Sequence, residues 1–284
     1  GVEFNGWYQE FSGVTSVSVD MGAGNDLLDA SRLSGVSVTA RGGLGDDTLI
    51  LGSAGGSLYG GLGNDTLSVT AASTAIAKLY GEEGDDLLTG AAGADVLEGG
   101  TGNDRLNGGL GNDTLIGGLG DDVLAGGAGM DSYVFASGFG LDRFNDLEGD
   151  TTLDFSALAT AMTFGVSRSG ISAASSTDDE VRTGAARVTQ VKLGTGDDQV
   201  TVKSFADYAI TLTDSGGSDD YRVQLDKPDV ALPNGTLNIV DASGAFDELI
   251  VAQNFAATAV NINNGQVANG REIVNFNGGI DRLT

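Results

Sequence analysis

Between Gly81 and Val134 a large apolar residue returns at every ninth position, as Leu88, Leu97, Leu106, Leu115, Leu124 and Tyr133. The six units are GEEGDDLLT, GAAGADVLE, GGTGNDRLN, GGLGNDTLI, GGLGDDVLA and GGAGMDSYV. Each has Gly first and fourth, Asp sixth and an apolar residue eighth. The first six places hold too many glycines for a strand, whereas the last three are apolar enough to be one. The pattern therefore predicts a turn followed by a three-residue strand in every unit. Side chains alternate faces along a strand, so the eighth-place column forms a thin interior. Nine residues make half a coil and eighteen close one, which predicts an all-β parallel solenoid with successive units on opposite sides.

The same period stacks the sixth-place carboxylates. On one edge Asp26, Asp47, Asp65, Asp86, Asp104 and Asp122 follow one another in steps of 21, 18, 21, 18 and 18 residues, so two coils carry three-residue insertions without losing the row. On the other edge Asp95, Asp113 and Asp131 form a second row. Its earlier equivalents, LGSAGGSLY and VTAASTAIAKLY, lack the Asp, so this edge is expected to load metal only in its later coils. Strands stack about 4.8 Å apart. Two carboxylates at that spacing repel by about 3 kcal/mol at an effective dielectric of ~20, and the metal-free rows oppose folding. A cation between turns reverses the sign, because Ca²⁺ takes about 6–8 oxygen ligands from carboxylates and backbone carbonyls. Glycine-rich turns are able to aim those carbonyls inward. His and Cys are absent from all 284 residues, so the usual ligands of zinc, copper, haem and iron–sulfur groups are missing. The all-oxygen donor set favours a hard cation.

These GGxGxDxUx units, with U a large apolar residue, resemble the RTX family of secreted calcium-binding proteins. The resemblance spans roughly residues 20–155 and implies a right-handed parallel β-roll, in agreement with the rule for parallel crossovers. The segments Tyr133-Val-Phe135, Asp142-Arg-Phe-Asn-Asp146 and Gly149 to Ser156 are similar to the sequence that closes such rolls in type-I-secreted proteins. Carried over by position, the ligands are the sixth-place Asp side chains with the carbonyls of the first, third and fifth places. First-place carbonyls come from Gly42, Gly60, Gly81, Gly90, Gly99, Gly108 and Gly117; third-place ones from Leu44, Leu62, Glu83, Ala92, Thr101, Leu110 and Leu119. Asp142 and Asp146 complete the last sites. On the order of seven to ten calcium ions are expected. Glu82-Glu83 and Ala91-Ala92 depart from the pattern, and a carbonyl ligand survives such changes if the turn does.

Organisation outside the roll is less regular. Residues 1–19 read as a lead-in strand and cap, with Trp7, Tyr8 and Phe11 covering the open end of the apolar column. Residues 156–284 read as a β-rich extension of solenoid or sandwich coils. VTQVKLGTGDDQVTV (188–202) echoes VTSVSVDMGAGNDLL (14–28) and places Asp198 where Asp26 sits. Asp219, Asp220, Asp247 and Glu248 are further candidate ligands with degraded glycine spacing.

The formal charge is −26, and residues 20–154, with 22 acids and 5 bases, account for −17 of it. Such a charge argues against nucleic acid or direct membrane insertion as partners. No apolar stretch approaches ~20 residues and no signal-peptide pattern is present; a start at Gly1 suits a fragment of something longer. Zero Cys suits a protein exported unfolded and stabilised outside by metal. GxGxxG fragments lack the Lys-Ser/Thr and the strand-to-helix context of a phosphate loop. Adjacent pairs such as Asp85-Asp86 diverge on an extended turn, and the fifth-place residue, variable among Asp, Asn, Ala and Met, faces solvent. No HExxH, GxSxG or His is present, so no enzyme is expected in these residues. Two readings of function stand. One is a calcium-dependent structural or adhesive module of a secreted or cell-surface bacterial protein, such as an adhesin or surface-layer subunit, with self-association or a cell-surface glycan as partner. The other is the accessory, secretion-linked RTX domain of an enzyme or toxin whose catalytic part lies elsewhere.

Overall fold

The computed structural model describes residues 2–4, 7–9, 13–146, 148–167, 170–175, 180–183, 187–203, 209–225, 236–240, 248–253, 261–263, 266–268, 273–277 and 282–283. Every regular element among them is a β-strand. The chain forms two compact units, residues 1–134 with 138–149, and residues 135–137 with 150–284.

The first unit is a parallel β-solenoid of two sheets. One sheet stacks Leu27–Asp29, Thr48–Leu51, Thr66–Val69, Leu87–Thr89, Arg105–Leu110 and Val123–Gly129. The other stacks Ser16–Ala23, Ser37–Leu44, Gly56–Leu62, Ala77–Glu83, Val96–Thr101, Thr114–Leu119 and Ser132–Val134. Register places eighth-place residues on one another: Leu49 on Leu67, then Leu88, Leu106 and Leu124, and Leu58 on Leu79, Leu97, Leu115 and Tyr133. These two columns are buried and make the interior. Tyr133 closes against Phe144, their rings 4.7 Å apart. The three-residue insertions go into the turns after Asp29 and Val69, where Leu33 N–H bonds the Ala30 carbonyl and Ser73 N–H the Thr70 carbonyl.

The expected three-residue strands are too short. In the regular coils the strand runs from the seventh place through the third place of the next unit, as in Arg105–Leu110 and Thr114–Leu119. Glycine is tolerated there because the second place adopts a positive φ, +112° at Gly118, that only glycine reaches without strain. A Cβ on Gly118 would also overlap the carbonyl of Gly100 one coil below. At the equivalent place Glu82 holds φ +79°. Gly118→Ala is therefore expected to cost about 3 kcal/mol and Glu82→Gly to stabilise by about 1 kcal/mol. Denaturant unfolding in saturating calcium measures both; equal midpoints for the two variants would remove the backbone argument.

The strand Val2–Phe4 pairs antiparallel with Trp7–Gln9 and with Leu27–Asp29. This hairpin covers the backbone edge of the first coil's sheet; Phe11 lies outside the described residues.

The second unit is also built of parallel strands, which selects solenoid coils over a sandwich. Thr151–Asp154, Val188–Lys192, Ala209–Thr213, Thr236–Val240 and Ile273–Asn277 follow one another in one sheet. Met162–Ser167, Gln199–Lys203, Asp220–Leu225 and Glu248–Gln253 do so in another. Its coils are longer than eighteen residues, with Val200 on Tyr221 and Tyr221 on Leu249. Antiparallel strands Gly170–Ser175 and Glu180–Thr183 are inserted beside Met162–Ser167, lengthening one coil. Phe155 anchors the interior, stacked on Phe135 at 4.6 Å and edge-on to Phe164 at 5.2 Å.

Candidate metal centre

The sixth-place aspartates point into the coil. Asp47, Asp65, Asp86, Asp95, Asp104, Asp113, Asp122 and Asp131 are 1–2 % exposed, and Asp26, at the start of its row, is 8 % exposed. Two backbone bonds hold a regular rung. Its Oδ1 accepts the N–H of the sixth-place residue one coil earlier: Asp26 to Asp47, then Asp65, Asp86, Asp104, Asp122 and Asp142, at 2.7–2.9 Å. Its own carbonyl accepts the seventh-place N–H of the coil that follows, as Asp86 accepts Arg105 and Asp104 accepts Val123. On the opposite edge the row runs from Ala77 N–H to Asp95, Asp113 and Asp131.

Oδ1 is thus spent on the protein and Oδ2 is left. In Asp47, Asp65, Asp86, Asp104, Asp113, Asp122 and Asp131 the Oδ2 atom is buried without a hydrogen-bond donor. A buried carboxylate oxygen without donor or cation is costly, and its repetition coil after coil marks a place for a positive ligand. Asp95 differs, because Ala91 N–H donates to its Oδ2 at 2.8 Å.

The first-place glycines shape the same spot. A Cβ on Gly42 would overlap Asp47 Oδ2 and approach the Gly60 carbonyl; Gly60 stands likewise to Asp65 and Gly81, Gly81 to Asp86 and Gly99, and Gly99 to Asp104 and Gly117. Across the roll Gly90 faces Asp95 and Gly108, and Gly108 faces Asp113 and Gly126. Carboxylate and next-coil carbonyl therefore converge on space that a side chain would fill. The third-place carbonyls are already in use. Those of Leu44, Leu62, Glu83, Thr101 and Leu119 accept the fourth-place N–H of Gly24, Gly45, Gly63, Gly84 and Gly102, leaving one lone pair each. The side chains of Leu110 and Glu83 face solvent, and the Ala92 N–H bonds the Ser73 carbonyl.

Burial raises the carboxyl pKa values along the rows, with the neighbouring acids adding to it. Asp65, Asp86, Asp122 and Asp131 are pushed up to about 6 and Asp104 and Asp113 to about 7. Asp142 continues the first row beyond Asp122. Asp146, also buried, stands beside the second row, where its charge raises Asp131 and Tyr133. The Tyr133 hydroxyl caps that end by accepting Gly126 N–H at 2.6 Å.

The solvent-facing fifth places carry an ordered row. Oδ1 of Asn25 accepts Asp46 N–H, and the chain of bonds continues through Asn64, Asp85, Asn103 and Asp121 to Leu141 N–H at 2.7–3.1 Å, running opposite to the buried row. Amide and carboxylate alternate, so no two acids are neighbours in this row. The alternation of Asn and Asp at eighteen- and 21-residue steps was the available signal.

In the second unit Asp198 Oδ1 accepts Met162 N–H at 2.8 Å and Asp219 Oδ1 accepts Asp198 N–H at 2.6 Å, repeating the rung geometry. Burial pushes Asp198 to about 7 and Asp219 to about 8. Asp214, which sequence reasoning passed over, lies within 4.8 Å of both through ligand oxygens. Asp220 turns instead to Arg222 at 3.2 Å. Asp247 lies outside the described residues, and Glu248 begins a strand.

Residues 39–67, 78–106 and 98–133 match the family model of the RTX calcium-binding nonapeptide repeat (4 copies). The chain carries RTX calcium-binding repeats. RTX nonapeptide repeats bind multiple Ca²⁺ ions, and the buried Asp row fits that chemistry. The RTX roll is a non-catalytic structural fold, and such repeats are typical of type-I-secreted extracellular proteins. A comparison with curated proteins finds no match.

Proposed function

We propose that this RTX chain is a calcium-dependent structural module of a secreted or cell-surface bacterial protein, unfolded at cytosolic calcium and folded on meeting extracellular calcium. The observation that carries the reading is the buried Oδ2 without a donor, repeated along both rows and, at Asp47, Asp65, Asp86, Asp104 and Asp113, facing the first-place carbonyl of the next coil. In this reading the sixth-place Asp side chains hold the ions. First-place carbonyls complete each site and the third-place carbonyls lend their free lone pairs. Asp142 and Asp146 serve the last coils. Extracellular modules bind with Kd of about 10⁻⁴–10⁻³ M, far above cytosolic calcium, so the rows stay repulsive during export. Outside, each bound ion adds to stability by mass action. Self-association or a cell-surface glycan is the partner expected of an adhesive or surface-layer role. The net charge of −26 disfavours nucleic acid, and no helix among the described residues is long and apolar enough to cross a membrane.

Far-UV circular dichroism and sedimentation at pH 7.5 test this reading on chelator-treated protein titrated with calcium, with magnesium as control. A cooperative gain of β signal with calcium alone is the expected result. A rise in sedimentation beyond a compact monomer adds self-assembly. Full β signal in chelator at that pH would overturn the reading.

A further inference from the structure

The second unit contains a carboxylate constellation outside the residues that match the repeat family. Asp198 and Asp219 repeat the rung geometry of the roll, one carboxylate per coil. Asp214 breaks that plan by standing five residues before Asp219, at the first place of the unit DSGGSDDYR. In the roll this place belongs to glycine, because a Cβ there points at the sixth-place carboxylate. With Asp in its stead the additional carboxylate is brought against Asp219. It is tied down by Gly216 N–H, which donates to Asp214 Oδ2 at 3.0 Å, and by its own N–H on the Val240 carbonyl at 2.9 Å.

All three residues are buried, and one oxygen from each lies within 4.8 Å of the others. Asp198 Oδ2 and Asp214 Oδ1 are buried without a hydrogen-bond donor. The basic groups described on adjoining strands are committed elsewhere, Lys192 to Asp154 at 2.6 Å and Arg222 to Asp220 at 3.2 Å. Oxygens around one calcium ion, each about 2.3–2.6 Å from it, lie no more than ~5 Å apart. The spacing of the three oxygens is that of one coordination shell.

The geometry points to a separate cation site formed by Asp198, Asp214 and Asp219, taking a hard ion of charge two or three and holding calcium more tightly than the coils of the roll. It draws on the proposed function only for the identity of the ion. Affinity rises with the number of ligand charges. Successive rungs in the roll offer one carboxylate each, whereas three converge here. A trivalent lanthanide, which matches three negative charges, is expected to enter this site first.

The test is flow dialysis of calcium on the full chain at pH 7.5, comparing wild type with Asp214→Asn and Asp104→Asn. Wild type should show one ion bound at least tenfold more tightly than the rest. Asp214→Asn should lose that ion and keep the weaker class; Asp104→Asn should keep it and disturb the weaker class. An Asp214→Asn isotherm that superimposes on wild type would overturn the site while leaving the roll's calcium intact, and is the result expected if Asp214 and Asp219 merely share a proton. Loss of the tight ion in both variants would assign it to the roll and likewise overturn the proposal. No calcium binding in any form would overturn the roll reading as well. Hydrogen exchange on wild type answers the same question without a variant. The Met162, Asp198 and Gly216 amides should gain protection at calcium concentrations at least tenfold below those that protect Asp86 and Asp104. Protection at the same concentration or above would overturn the site.

Discussion

Asp104→Ala is expected to raise the calcium concentration at half-folding roughly two- to threefold, whereas Asp26→Ala leaves it nearly unchanged. Asp104 is an interior rung: its Oδ1 accepts Asp86 N–H, its own N–H donates to Asp122 Oδ1, and its Oδ2 is buried without a donor. Alanine removes a proposed ligand and strands the Asp86 N–H, a loss of about 3–5 kcal/mol in total. Because ~7 ions bind together, mass action spreads that loss over all of them, and the midpoint moves by a fraction of a decade rather than by several. Asp26 starts its row and is the more exposed. Asp104→Asn separates the two effects, since the amide oxygen still accepts Asp86 N–H while the charge is gone. Calcium titrations followed by circular dichroism measure all three variants. Equal midpoints for Asp104→Ala and Asp26→Ala would argue against a cooperative ladder.

The calcium-free protein is expected to regain β structure as pH falls from 8 to 5. Burial holds the carboxyls of Asp65, Asp86, Asp122 and Asp131 up at about 6 and those of Asp104 and Asp113 at about 7 in the folded roll, against about 3.9 in an unfolded chain. Between those values the folded state holds protons that the unfolded chain has released. This contribution to stability is fully present below about pH 4 and is lost as pH rises through 6 to 7. A proton on each of these six Asp thus substitutes for the cation. With calcium present the sign reverses, because protons must be displaced from the carboxylates, so the calcium midpoint rises below about pH 6. Circular dichroism on metal-free protein at low concentration, kept above the isoelectric point of about 4.1, measures the first limb. Calcium titrations at pH 5.5 and 7.5 measure the second. Metal-free protein that gains structure as pH rises would contradict the burial of these carboxyls.

The alternation of amide and carboxylate on the exposed fifth places bears on both results. It keeps the fifth-place acids Asp46, Asp85 and Asp121 two coils apart, about 10 Å at strand spacing, so this row adds little to the repulsion of the buried row that calcium and protons must relieve.

The residue order alone determined the period, the two stacked apolar columns, the register of the Asp rows through the insertions at 21-residue steps, and the hard-cation chemistry. Each follows from spacing along one chain: a nine-residue unit that alternates Gly, Asp and Leu has one way to stack its like residues. The tertiary structure decided the rest. Strands proved twice as long as the apolar run suggested, because glycines at positive φ pair across coils as strand residues do. The division of labour between Oδ1 and Oδ2 depends on which N–H of the neighbouring coil faces the carboxylate. Asp214 meets Asp198 because the fold stacks Asp219 on Asp198, and a side chain at the first place points at the sixth-place carboxylates. Such contacts join residues that no fixed period relates, and only the folded backbone brings them within coordination distance.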